Sequence, residues 1–262
     1  TGCNATNGTL NTVNNPFAAS GQVARIVGRL PNLRQYNETR SRVYRAALGI
    51  KGNVADTWDY AVDATAMHTD LRRLQQGYVR IDNLLTAIAR GTYNFADPYA
   101  NTDDQNAFIS PDNVTNAESD LIQVQATVGR SLAQLPGGPL QLGLGVAYRY
   151  ESINAPSGNP DFNGPTDRYF VLNAFGVNGS RSVYSGYGEL NAPVFDQLLL
   201  NASGRYDKYS SGQSAFSPKF GAKFTPFRQL AIRGTYSRGF RIPSFGEANS
   251  LPTSGFVNAA PT

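Results

Sequence analysis

Between Ser217 and Glu247 the chain holds two runs of strict alternation joined by a four-residue turn. Phe220, Ala222 and Phe224 alternate with Gly221, Lys223 and Thr225. After Pro226–Gln229, Leu230, Ile232, Gly234 and Tyr236 alternate with Ala231, Arg233, Thr235 and Ser237. A period of two is the period of a strand, and so short a turn makes the pair an antiparallel hairpin. The face opposite the apolar residues carries Lys, Arg, Thr, Ser and Gly, and aromatics stand near the strand ends. Lipid outside and water or polar protein inside satisfies both faces at once.

The same alternation returns along the chain. It predicts strands over about 37–52, 58–74, 120–132, 140–153, 181–192 and 198–210, which with the hairpin make eight. In the fourth, Leu140, Leu142, Leu144, Val146, Tyr148 and Tyr150 face one way and Gln141, Gly143, Gly145, Ala147, Arg149 and Glu151 the other. Tight turns at 52–57, 134–139, 193–197 and 226–229 alternate with mostly longer connections, chiefly 75–119 and 154–180. Short turns at one end and long loops at the other are the outer-membrane arrangement. Within the first long loop Asp82 is expected to N-cap a helix that Gly91 stops. Residues 1–35, rich in Asn, Gly and Thr and then in Arg, read as an irregular surface loop.

The hairpin's own residues resemble the mid-barrel signature of TonB-dependent outer-membrane receptors. There a Ser-Pro-(Lys/Arg) strand precedes one that ends in Ser-x-Gly-Phe-Arg-x-Pro. Ser217, Pro218 and Lys219, then Ser237, Gly239, Phe240, Arg241 and Pro243, match that order and spacing. The resemblance implies an all-β, antiparallel transmembrane barrel of which this chain supplies about eight strands, the whole having about 22 around a folded plug. It also implies active uptake of a scarce nutrient (siderophore-iron, vitamin B12 or a glycan), energised by the inner-membrane TonB complex. The expected partners are outer-membrane lipid and lipopolysaccharide, a small-molecule or oligosaccharide substrate, and the TonB complex, reached through a TonB box in a preceding region. The expected location is the outer membrane of a Gram-negative cell. Residues 1–262 are expected to be part of the barrel domain, without the plug. Thr1 in place of Met and the lack of a charged, then apolar leader fit an internal segment of a longer precursor.

Composition narrows the alternatives. No run approaches the roughly 20 apolar residues of a membrane helix. Lys and Arg total 23 against 19 Asp and Glu, too even a balance for a nucleic-acid binder, whose basic residues gather on one face. One Cys and one His build neither a disulfide nor a histidine-rich metal site. No nucleophile elbow, P-loop or triad occurs, so no enzyme, catalytic residue, metal or cofactor is expected. Asn101, Asp103, Asp104 and Asn106 offer oxygens to Ca²⁺ but lack the ligand order of an EF-hand loop.

Three sets of residues are candidates for function. Lumen-side Arg45, Arg149, Glu189, Arg205, Asp207, Lys223 and Arg233 either face a plug or pair with one another across strands. Loop aromatics Tyr93, Phe95, Tyr99, Phe108, Phe162, Tyr169 and Phe170 either line a substrate vestibule or pack the loops together. The arginines of 25–45 either meet anionic substrate or lipopolysaccharide phosphates, or form a solvated face paired with nearby acids. A small eight-stranded barrel, passive or structural, is the alternative to a receptor; a soluble ligand-binding β-protein fits less well, because the outward faces are so apolar. On the lumen side Gly145→Ser is expected to be mild, whereas Leu144→Arg on the lipid side is expected to impair assembly.

Overall fold

The computed structural model describes residues 20, 29–55, 57–159, 164–173 and 175–249. Eight strands form one antiparallel sheet in chain order: β1 Tyr36–Val54, β2 Trp58–Gln76, β3 Asn113–Leu135, β4 Gly138–Ala155, β5 Val177–Phe195, β6 Leu198–Tyr209, β7 Ser214–Phe227 and β8 Leu230–Ser237. β1 and β8 are the ends of the sheet, each hydrogen-bonded to one neighbour among the described residues.

The alternation sets the register. Every cross-strand pair away from the turns joins residues of equal parity, as in Ala47 to Thr65, Thr65 to Gln123, Gln123 to Arg149, and Arg149 to Val183. Odd-numbered side chains of all eight strands therefore share the polar face, and even-numbered ones share the apolar face. Leu48, Val146, Phe216 and Ile232 on the latter are more than half exposed. A wall one sheet thick has no interior of its own, so this apolar surface needs lipid to cover it.

Three of the tight turns have only two residues, and each is preceded by a bulge. The register shifts by one residue between Ser131 and Ala133, between Pro193 and Phe195, and between Phe224 and Phe227. A two-residue turn joins residues of opposite parity, such as Leu135 and Gly138. The extra residue restores equal facing before the chain enters the membrane band. Pro193 and Pro226 lie at two of these bulges, where a missing N–H breaks no regular rung.

Strand ends differ from the expectation by several residues. The third strand begins at Asn113, not about Asp120, and the fifth at Val177, not about Arg181. Beyond the apolar band both faces are polar, so the alternation fades while the ladder continues, Gln75 still pairing with Asn113.

The first long connection folds into two helices, α1 Ile81–Arg90 and α2 Asp103–Ile109. Gly91 does end α1, in the left-handed conformation at φ 66°, where glycine pays no steric cost. Asp82 is not its N-cap. Arg80 holds that position, because its N–H bonds to Ile109 O at 2.9 Å and its backbone bridges to Tyr169. Asp82 instead lies in the first turn and accepts from Asn83 N at 2.9 Å. α2 starts with a reciprocal capping box: Gln105 N donates to Thr102 Oγ1, and Thr102 N donates to Gln105 Oε1. A last short helix, α3 Phe245–Asn249, follows β8.

Candidate functional site: the polar face and the lobe at its loop end

The polar face pairs much of its charge internally. Arg205 Nε donates to Asp207 at 3.0 Å, its Nη2 reaches Ser185 Oγ at 2.9 Å, and its guanidinium lies 5.7 Å from the centre of the Tyr187 ring. Asp207 also accepts from Ser185 at 2.5 Å, and Glu189 accepts from Asn201 Nδ2 at 2.7 Å. Arg149 lies 3.9 Å from Glu151, too far for a strong bond, and its buried Nε has no hydrogen-bond partner. Lys223 and Arg233 stand directly across from one another, with no carboxylate in ion-pair range among the described residues. Like charges in that position repel. Neither Arg45 nor Lys219 on the same face has an ion pair among the described residues.

The signature residues build a turn that folds back over this face. Pro218 O accepts from Arg238 N at 3.0 Å, one residue past the end of β8. In an antiparallel strand the N–H and C=O of a residue point the same way. The donor that Pro218 lacks would therefore face the place where β8 leaves the sheet. Phe240 packs 6.2 Å from Tyr209, and Arg241 Nη2 reaches both carboxylate oxygens of Glu247 at 2.7 Å. Ser244 N donates to Glu247 Oε2 at 2.7 Å, and Glu247 N donates to Ser244 Oγ at 3.3 Å. The Arg241 guanidinium, then the Ser244 backbone N–H and the Ser244 hydroxyl, hold the Glu247 carboxyl down at about 2. On the far side Arg181 of β5 donates to Pro243 O at 2.9 Å, lies 4.6 Å from the Phe245 ring centre and pairs with Glu151. The spacing Ser-x-x-Glu at 244–247 is a capping-box pattern, and it was the signal that could have located α3.

At the loop end of β1–β5 the connections form a folded lobe. Ala87, Tyr93 and Ile109 are its core, with Leu30, Leu33 and Phe95 packed against them. Asn32 Nδ2 donates to Tyr93 Oη at 2.8 Å and to Asn106 Oδ1 at 2.6 Å, so the segment before β1 is tied to both helices. Burial pushes the Tyr93 phenol up, and its O–H donates to Asn106 Oδ1 at 3.1 Å. In the second long connection Asn159, 2% exposed, donates to Tyr169 O and Leu172 O and accepts from Tyr169 N. Arg80 joins the two connections through Asp167 and, within its own, pairs with Asp82 at 2.9 Å.

The loop aromatics divide accordingly. Tyr93 and Tyr169 are buried, and Phe95 lies half-buried against Tyr93 at 4.8 Å between ring centres. Tyr99, Phe108 and Phe170 are exposed. Phe162 lies outside the described residues, as do Arg25 and most of residues 1–28. Asp103 and Asp104 open α2, Asn101 bonds to backbone of Asn94 and Pro98, and Asn106 serves Asn32 and Tyr93. Among the described residues no group of three His, Cys, Asp or Glu is placed to hold a metal ion.

A one-layer wall with an apolar outside, a polar inside, short turns at one end and folded connections at the other is the wall of an outer-membrane β-barrel. The chain matches the family model for the TonB dependent receptor-like β-barrel over residues 4–261, and it belongs to that family. Members of the family are transport barrels of the Gram-negative outer membrane, so the even-numbered face is the lipid side and the odd-numbered face the lumen. No curated protein and no solved structure matches the chain.

Proposed function

We propose that this wall belongs to a receptor that takes up a scarce nutrient (siderophore-bound iron, vitamin B12 or a glycan), with the TonB complex supplying the energy. The observation that carries the reading is the signature turn, 238–249, docked on the lumen face through Arg181. A passive eight-stranded barrel needs no such inward element. It would also pair its first strand with its last, whereas β1 and β8 here are separate ends of the sheet. In this reading the sheet continues into a wider barrel around a plug. Arg149, Glu189, Arg205, Asp207, Lys223 and Arg233 face the plug, and Lys223 and Arg233 draw a carboxylate from it because the described residues of the wall offer them none. Substrate enters past Tyr99, Phe108 and Phe170, while Tyr93, Phe95 and Tyr169 hold the lobe that presents them.

Uptake assays in a strain lacking the receptor decide the matter. Accumulation of a labelled ferric siderophore, cobalamin or oligosaccharide should fall in the deletion strain, return on complementation and stop when the proton gradient is collapsed. Complemented uptake that survives collapse of the gradient would identify a passive channel and overturn the reading.

A further inference from the structure

The lipid-side face of β1–β3 does not stay apolar to its end. Past Tyr44 on β1 come Arg42, Arg40 and Glu38; past Ala66 on β2 come His68, Asp70 and Arg72; past Ile122 on β3, toward its start, come Asp120 and Glu118. The register sets them in rows, Arg40 opposite Arg72, and Arg42 opposite Asp70, which is opposite Glu118. Arg42 and Arg40 stand two and four residues beyond Tyr44, roughly 7 and 13 Å along the strand. At the same level β4 and β5 offer only Ser152, Asn154, Asn178, Ser180 and Ser182.

The acids of this patch already have donors. Glu38 pairs with Arg40 and accepts from Tyr36 at 3.1 Å. His68 bridges Asp120 at 2.7 Å and Asp70 at 3.1 Å; Asp120 also takes Ser152 Oγ at 3.1 Å, and Glu118 takes Asn154 at 3.3 Å. Arg42 and Arg72 form no ion pair or hydrogen bond among the described residues. They remain as cations on a face whose lower part is bare apolar surface. Such a face calls for a molecule with acyl chains below and an anion above.

We propose that the outward face of β1–β3 above Tyr44 docks the phosphorylated sugar headgroup of an outer-leaflet glycolipid. Arg42 and Arg72 hold its phosphate, since the planar guanidinium matches phosphate oxygens in bidentate fashion. The carboxylates of Asp70 and Glu118, facing the same space, keep free lone pairs for sugar hydroxyls. The acyl chains lie on the apolar band below. The inference rests on the outer-membrane reading above.

Purified full-length receptor, titrated in detergent with bis-phosphorylated lipid A and followed by native mass spectrometry, tests it. The Arg42→Gln/Arg72→Gln variant should bind about tenfold more weakly or worse, and Arg42→Lys/Arg72→Lys should retain part of the affinity. The wild-type protein should likewise prefer the phosphorylated lipid to its dephosphorylated form and to phosphatidylethanolamine. That comparison requires no variant to fold. Equal binding by wild type and the Gln variant, equal binding of phosphatidylethanolamine, or displacement of the lipid by millimolar inorganic phosphate would each overturn the proposal. A protein that failed to enter detergent micelles would sink the membrane reading itself, whereas equal lipid binding by an intact barrel sinks only the site.

Discussion

The ring tip of Tyr187 on β5 lies against Gly145 of β4, its cross-strand partner, so that a Cβ on residue 145 would stand 2.2 Å from the ring. The ring also receives the guanidinium of Arg205. One glycine thus supports a stack that runs across three strands of the lumen wall.

Gly145→Ser therefore requires the tip of the Tyr187 ring to swing aside, which its polar-face position alone does not suggest. Moving the partly exposed ring off its rotamer costs about 0.5–1.5 kcal/mol. Gly143→Ala, on the same face with nothing within 4 Å of the new Cβ, should be close to neutral. Heat-modifiable gel mobility of the assembled barrel should show less folded protein for Gly145→Ser, with recovery when Tyr187→Ala is added.

Leu144 is the reverse case. Its side chain faces lipid beside Val146, and a guanidinium at that depth costs about 2–4 kcal/mol. Leu144→Arg should lower the yield of assembled barrel in a refolding titration by a correspondingly large shift in midpoint. Equal yields for Leu144→Arg and Gly143→Ala would contradict the assignment of faces.

The Glu247 carboxyl, held at about 2 against an ordinary 4.5, gives the signature turn an acid-resistant fastening. A carboxyl depressed in the folded state contributes stability that is full above its unfolded value and is lost as pH falls through its folded value. The Arg241–Glu247 link should thus hold at pH 5 and fail between about 4.5 and 2. Hydrogen exchange at the Ala248 amide, which bonds to Ser244 O at 3.0 Å, should stay slow at pH 5. It should be fast at the same pH in Glu247→Gln.

Sidedness can be read on intact cells carrying Cys3→Ser. An impermeant maleimide should label Tyr99→Cys in the exposed lobe and miss Arg228→Cys in the β7–β8 turn. Gly137 would be a poor probe of that end, since a Cβ there meets the Phe195 backbone at 2.4 Å. Labelling at residue 228 but not at 99 would invert the barrel.

What the chain disclosed in advance follows from where its information is local. Alternation over 140–150 or 220–224 is written in neighbouring residues, so the strands, their facing and the tight turns were legible. The bulges before the turns leave no mark in the pattern, because one extra residue among Leu132, Val194 or Thr225 looks like continued strand. Asp82 misled for a related reason: the choice of Arg80 as helix start is made by Ile109 and Tyr169, far along the chain. Two Ser/Thr-x-x-Glu/Gln spacings, at Thr102 and Ser244, are local signals of the helix starts they mark. Gly145 could not be judged without the register that brings Tyr187 to it.

Arg181's grip on Pro243 and Phe245 joins the start of β5 to a segment beyond β8, passing over β6 and β7. In a curved wall such a tie acts as a chord across an arc. The span from β5 to β8 keeps its radius while the chord holds. The turn after β8 would then set the curvature of the wall from β5 to β8.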